Sequence, residues 1–491
     1  MNHILTNEQQ AIVDFICQPT DSLLQVGAIA GAAKSHTMQA AAKQLCELNP
    51  HIDVRYLVFG SAPAAEAKLA FGNTAIVSTL HSLAYQHTIK CTSMYVTSQG
   101  YLTYHDIPKT VKRQFGIDYV TLQLIESFSN SEFMSLTDYV QTVDEPPRAT
   151  VVMFARTLMN LMNSGDMPCT HSFYLKVFHR GLLTGSIILD EVDVLIVDEA
   201  QDLTPITLAV FEHYPAKLKV IVGDKYQSIF SWMGCINAFD YYADSGVTLS
   251  LTRSFRVNTV DAKAIQSFAN ATMAPNMIFE GFDSPEPANP TYAYLTRTNA
   301  ELISKMIELN RIGTPYKLSS KSKVTQLFKL PLGILYLKAG HQQKDPEMRD
   351  LQSDIDKWFS SPALQKLYSN KYSMLLGEHK GNQTIEQAVK LVMSTPSKEL
   401  IDAAKQAKLH QKSNCNLIIQ TCHTSKGGTW THVELSDGMD QSIDDVMTEF
   451  SKNKSYQPTA EQYESLMVYY VSCTRAVLST QNAKYLEKYR Q

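Results

Sequence analysis

Residues 27–37 read GAIAGAAKSHT, between the apolar run SLLQVGA and a helix-forming run over residues 38–48. Small residues let backbone N–H groups curl around an anion, and a helix N-terminus behind them strengthens the attraction. Lys34 adds a positive charge, and Ser35 adds a hydroxyl able to ligate magnesium. The stretch departs from G-x-x-x-x-G-K-[ST] at two slots. Ala33 stands directly before the lysine, and Ala28 fills the first slot with Gly27 just ahead of it. A methyl group at position 33 tolerates right-handed or extended backbone and disfavours a positive φ. Taken alone, the stretch also reads as the start of an alanine-rich helix.

Five further apolar runs end in polar or small-residue loops: VRYLVFG, VDVLIVDEA, KLKVIVGD, TYAYLTRTN and CNLIIQTCHT. Short continuous Val/Ile/Leu runs suit strands buried on both faces, as in parallel sheets. Helical stretches lie between them, including residues 63–71. The alternation predicts a doubly wound α/β architecture, with ligands beyond the carboxyl ends of the strands. Two stretches, roughly 87–185 and 321–412, lack the rhythm and read as mostly helical insertions into two cores. The first core is then 1–86 with 186–250, and the second 251–320 with 413–491.

Hydrophobic residues make up 44% of the 491 and charged residues 19%, which excludes a largely disordered chain. The net charge of −4 neither announces nor excludes nucleic acid, since binding needs only a local basic groove. No run of 18 apolar residues suggests a membrane span, and MNHILTNEQQ lacks the pattern of a signal peptide. The eight scattered cysteines contain no C-x-x-C pair and read as reduced intracellular thiols. A cytoplasmic monomer, in a bacterial or phage-infected cell, is the expectation.

Two more stretches carry chemistry. VLIVDEAQD, residues 194–202, ends a strand at adjacent acids. Asp198 can hold magnesium and Glu199 can orient and deprotonate water; the plain alternative is a solvated acidic strand end. VIVGDKYQSIFSWMG, residues 220–234, ends another strand and then offers Gln227, able to sense a phosphate or water. Phe230 and Trp232 follow, either as base-stacking platforms or as core rings.

With these stretches in order, the chain resembles the superfamily 1A DNA helicases of the Rep/UvrD/PcrA type, including F-box-helicase and phage relatives. LTNEQQAIV (5–13) is similar to the glutamine motif, VFGSAPAAEA (58–67) to motif Ia and STLHSLA (78–84) to motif Ib. DEAQD and GDKYQSIFSW resemble motifs II and III, and LTRSFRVN (251–258) motif IV. YLTRTNAELI (294–303) and GTPYKL (313–318) match stretches of the family's second core. TCHTSKGGTW (421–430) resembles motif V and YYVSCTRA (469–476) motif VI.

The resemblance implies two RecA-like cores with ATP and Mg2+ between them. Gly27, Ala30, Gly31, Ala32, Ala33, Lys34, Ser35 and His36 would cradle the phosphates, with Ser35 and Asp198 on the metal. Gln9 would read adenine, Phe255 would stack on it, and Gly427 would line the nucleotide. Glu199 would be the base, Gln227 the γ-phosphate sensor, and Arg256 and Arg475 arginine fingers. Phe59, Thr79, His81, Phe230, Trp232, Thr421 and His423 would hold DNA. The implied activity is ATP-driven movement on single-stranded DNA, 3′ to 5′, with unwinding at single-strand/duplex junctions. Replication or recombination proteins would be its partners. A translocase that strips proteins from DNA, an ATPase-impaired DNA-binding adaptor and an RNA substrate remain open alternatives. The departures are Ala33, His36, Met233 in place of an arginine, and Gly428–Thr429 in place of Leu-Glu. None removes a catalytic charge.

Overall fold

A computed structural model of the chain describes residues 4–98, 100, 102, 106–115, 119–340 and 346–490, without the side chains of 113–115, 119, 232, 346, 347 and 350. The chain divides into two compact units, 1–253 and 254–491.

In the first unit, six strands form one parallel sheet. They are β1 (Leu23–Ala28), β2 (Val54–Leu57), β3 (Ile76–Ser78), β4 (Val192–Val197), β5 (Ala216–Gly223) and β6 (Val247–Leu251). The order is β3-β2-β4-β5-β1-β6. Leu24 and Val26 of β1 are wholly buried, as expected of a strand with helices on both faces. Its one polar residue between them, Gln25, is satisfied: Nε2 donates to the carbonyls of Tyr242 and Ser245, each at 2.7 Å. Gly246 turns the chain into β6 at φ +68°, where a Cβ would lie 2.4 Å from the Leu23 carbonyl oxygen.

The helices between β3 and β4, from Leu80–His87 to His171–Thr184, share one apolar core with the sheet. Phe128, Leu158 and Phe178 belong to the same buried cluster as Leu195, Phe211 and Ile221. Lys176 lies inside this core, 1% exposed. Its Nζ donates to the carbonyls of Ser131 (2.5 Å) and Phe133 (2.9 Å) and sits 4.7 Å from the Phe128 ring centre. It thereby closes the C-terminal end of helix Tyr119–Asn130, where unpaired carbonyls favour a cation. Burial pulls the ammonium down to about 7. Lys176→Ala strands two acceptors and opens a void; relieved desolvation offsets only part of this. The expected loss is about 2–4 kcal/mol, to be read from urea unfolding; an unchanged midpoint would refute the brace.

In the second unit, five parallel strands follow the order β11-β10-β7-β9-β8. They are β7 (Tyr292–Thr296), β8 (Lys317–Leu318), β9 (Leu417–Thr421), β10 (Trp430–Leu435) and β11 (Ala476–Gln481). Helices from Val324–Leu327 to Ser397–His410 intervene between β8 and β9. Ile334, Leu375, Val389 and Leu400 join Ile303 and Ile419 in one cluster. Each unit is thus a RecA-like α/β core carrying a mostly helical insertion. No described helix is long and apolar enough to cross a membrane.

Candidate functional site

β5 lies between β1 and β4, so the loops after all three leave one carboxyl edge of the first sheet. The loop after β1 is tied down at its start, where Ile29 N donates to Leu251 O at 3.1 Å. Ala30 and Ala32 bury their methyls, at 1% and 2% exposure. Gly31 adopts φ +75° and Ala33 φ +59°. Ala33 is also the cap of helix Lys34–Leu48, and its carbonyl accepts from Thr37 N (3.0 Å) and Thr37 Oγ1 (3.1 Å). Ser35 and His36, in the first turn, are exposed.

An alanine is therefore held in the left-handed region that its methyl disfavours, at a cost of about 1–2 kcal/mol. Glycine removes that clash but loses about 0.5–1 kcal/mol more entropy on folding. Ala33→Gly is expected to stabilise the fold by about 0.5–1 kcal/mol, raise Tm, and keep or increase nucleotide turnover. A fall in both quantities would contradict the strained-hinge reading.

β4 delivers the two acids. Asp198 Oδ2 accepts the Tyr56 hydroxyl at 2.5 Å, and Oδ1 accepts the Glu199 N–H at 2.9 Å. Burial first, and the neighbouring Glu199 second, push the Asp198 carboxyl up to about 6, while Lys34 pulls the other way. Glu199 itself sits at φ +54°, again left-handed. Its Oε1 is 3.5 Å from Lys34 Nζ, and its Oε2 accepts from Gln201 Nε2 at 2.5 Å. Such strain persists only where surrounding bonds over-determine it, and here it aims a carboxylate at the loop's lysine.

β5 ends at Gly223, where a Cβ would lie 2.2 Å from Gln201 Oε1, a buried oxygen with no hydrogen-bond partner. Asp224 follows and braces Gln227: Gln227 Nε2 donates to Asp224 Oδ2 at 2.8 Å. Ser228 Oγ donates to Gln201 O at 3.0 Å, joining the β4 and β5 loops. Lys34, Asp198, Glu199 and Gln227 thus stand on three loops of one edge. The sequence reading assigned no role to Tyr56, Gln201 or Asp224. The latter two lie inside quoted motifs, whereas Tyr56 reads as an ordinary buried strand aromatic.

The other expected residues have definite places. Gln9 is 3% exposed, and its Oε1 accepts from Thr6 N at 3.0 Å in a reciprocal cap of helix Asn7–Cys17. Phe59 is half exposed just beyond β2. Thr79 caps helix Leu80–His87 through Ser82 N at 3.0 Å. His81 faces the rings of His171 and Tyr174, with centroids 6.0 and 5.8 Å away, and its Nδ1 is buried without a partner. Burial holds its imidazole down at about 4. Phe230 is half-buried; the side chain of Trp232 lies outside the described residues.

In the second unit, Phe255 is 40% exposed, with its ring 6.2 Å from Phe282. Arg256 N donates to Ser254 Oγ at 3.2 Å. Arg475 is buried; its Nε donates to Val471 O and its Nη2 to Thr474 Oγ1, both at 2.9 Å. Thr421 caps the turn Cys422–Ser425, which carries His423, and Gly427 follows at φ +81°.

Whether the site suits magnesium is tested by its donor set, the half-buried Asp198 carboxylate and the exposed Ser35 hydroxyl of the loop. Among the described residues no cluster of three or more His, Cys, Asp or Glu could hold a metal alone. Magnesium in nucleotide sites takes one or two protein ligands, phosphates and water, and Ser35 with Asp198 fits that donor set.

Residues 148–239 match the UvrD/REP helicase N-terminal domain family. The chain is also similar to F-box DNA helicase protein 1 of Schizosaccharomyces pombe (strain 972 / ATCC 24843), 24% identical over 96% of this chain. It spans 56% of that relative's length.

Proposed function

We propose that the chain is a UvrD-like helicase of superfamily 1A that hydrolyses ATP to move along single-stranded DNA, 3′ to 5′, and so separates duplex DNA. The observation carrying this reading is the trio at one sheet edge: Lys34 Nζ 3.5 Å from the Glu199 carboxylate, with half-buried Asp198 beside it, its Oδ1 accepting the Glu199 N–H. The similarity to F-box DNA helicase protein 1 of Schizosaccharomyces pombe supports it.

In this mechanism Lys34 and the loop N–H groups bind the β- and γ-phosphates. Ser35 and Asp198 would hold magnesium, which when bound neutralises phosphate charge. Glu199, fixed by Gln201, orients water against the γ-phosphorus and takes its proton as the new P–O bond forms. The bond from the γ-phosphorus to the β–γ bridging oxygen breaks, and ADP keeps the electron pair. Gln227, steadied by Asp224, contacts the γ-phosphate or the water. Arg256 and Arg475 supply positive charge as the transition state develops. Phe59, Thr79, His81, Phe230, Trp232, Thr421 and His423 serve as the strand contacts.

The test is ATP hydrolysis with and without single-stranded DNA at two salt concentrations. Stimulation by DNA that fades with salt is the expected result. DNA binding with no hydrolysis would overturn the motor and leave a binding protein.

A further inference from the structure

Tyr56 belongs to β2, not to the β1, β4 or β5 loops assigned the nucleotide chemistry, yet its phenol reaches the acid that ends β4. The side chain is 1% exposed, and its ring packs against Phe71 with centroids 4.4 Å apart. The hydroxyl donates to Asp198 Oδ2 at 2.5 Å. β2 pairs with β4 in register, Tyr56 opposite Ile196, which fixes the phenol at the height of the acid two residues on.

A carboxylate that shares a cation is oriented by the donors on its oxygens, and losing such an outer partner typically weakens metal binding about 10- to 100-fold. The Tyr56 O–H is such a partner for Asp198 Oδ2.

We infer that Tyr56 is a positioning residue for the magnesium–nucleotide site, a phenol that fixes the direction of the Asp198 carboxylate. The inference rests on the ATP-hydrolysing reading of that site. Tyr56 touches no reacting atom; it sets the direction of the carboxylate that does the holding. Its loss acts on the cation and not on the adenine or the lysine–phosphate contact.

The experiment is binding of a fluorescent ATP analogue, titrated with Mg2+, to the full chain and to Tyr56→Phe. Phenylalanine keeps the packing against Phe71 and removes only the hydroxyl. Half-saturation is expected to need about tenfold more Mg2+ or higher, while binding measured in EDTA stays the same. Equal Mg2+ dependence in a variant with unaltered Tm would overturn the inference. Should Tyr56→Phe lose Tm, the full chain with Mn2+ in place of Mg2+ gives the second measurement. The wild type and Tyr56→Phe curves must then differ more for one cation than for the other, and equal displacement for both would make Tyr56 merely structural. Failure of the wild-type chain to bind the analogue at all would instead sink the ATPase reading.

Discussion

Glu199→Gln is expected to slow ATP hydrolysis by about 100- to 10,000-fold, the usual worth of a placed general base, with nucleotide binding retained. Glutamine keeps the shape of the side chain, and its amide oxygen can still accept from Gln201 Nε2. It cannot take a proton from water. The substitution also removes the second-largest influence holding Asp198 up, so the remaining acid keeps its charge more readily. Rate and affinity therefore separate. Single-turnover hydrolysis beside fluorescent-nucleotide binding measures both, and a variant that hydrolyses at the normal rate would take Glu199 out of the base role.

Lys34→Ala is expected to damage both quantities together. Removing one member of a desolvated charge pair costs about 2–5 kcal/mol, roughly 30- to 4,000-fold in affinity. Lys34 is 14% exposed and is the cation opposing Asp198 and Glu199. Without it, two neighbouring carboxylates repel each other and Asp198 holds its proton more tightly, which also weakens the cation site. Lys34→Arg is not expected to rescue, because a planar guanidinium does not reproduce a compact ammonium in a tight loop. The same binding titration decides the matter: nucleotide affinity near that of the unsubstituted chain would show that Lys34 does not carry the phosphates.

The strands visible in the sequence were those buried on both faces. All six quoted apolar runs contain a strand, namely β1, β2, β4, β5, β7 and β9. The five not quoted are short or only half buried. β3 and β8 have three and two residues, β6 alternates half-buried with exposed positions, and every second residue of β10 is half-buried or exposed. A continuous apolar run cannot mark such strands, since one face needs no apolar side chains. The two RecA-like cores were thus legible from their centres outward.

At the site, Lys34, Asp198, Glu199 and Gln227 were legible because charge and amide chemistry at strand ends is scarce. Tyr56 was not, because a buried tyrosine on a strand has the same sequence signature as core packing. Ala33 was legible as a departure, but only its dihedral angle, φ +59°, shows that the departure carries strain. His81 was read as a DNA contact from its motif. Its packing against His171 and Tyr174, with Nδ1 buried, gives it a structural place the motif could not announce.

The strand order also bears on how the protein is made. β1 carries the phosphate loop and is finished by residue 28, yet its two partners are β5, beginning at residue 216, and β6, ending at residue 251. On the ribosome, both edges of this apolar strand stay unpaired until nearly all of the first unit has been translated. Exposed strand edges invite pairing with other chains. For most of that interval the nascent chain has a nucleotide loop without a sheet to hold it. Translation pauses before residue 251, or truncation there, should leave aggregation-prone material that a chaperone must hold. The same late closure keeps the loop unshaped until the acids of β4 are already in place beside it.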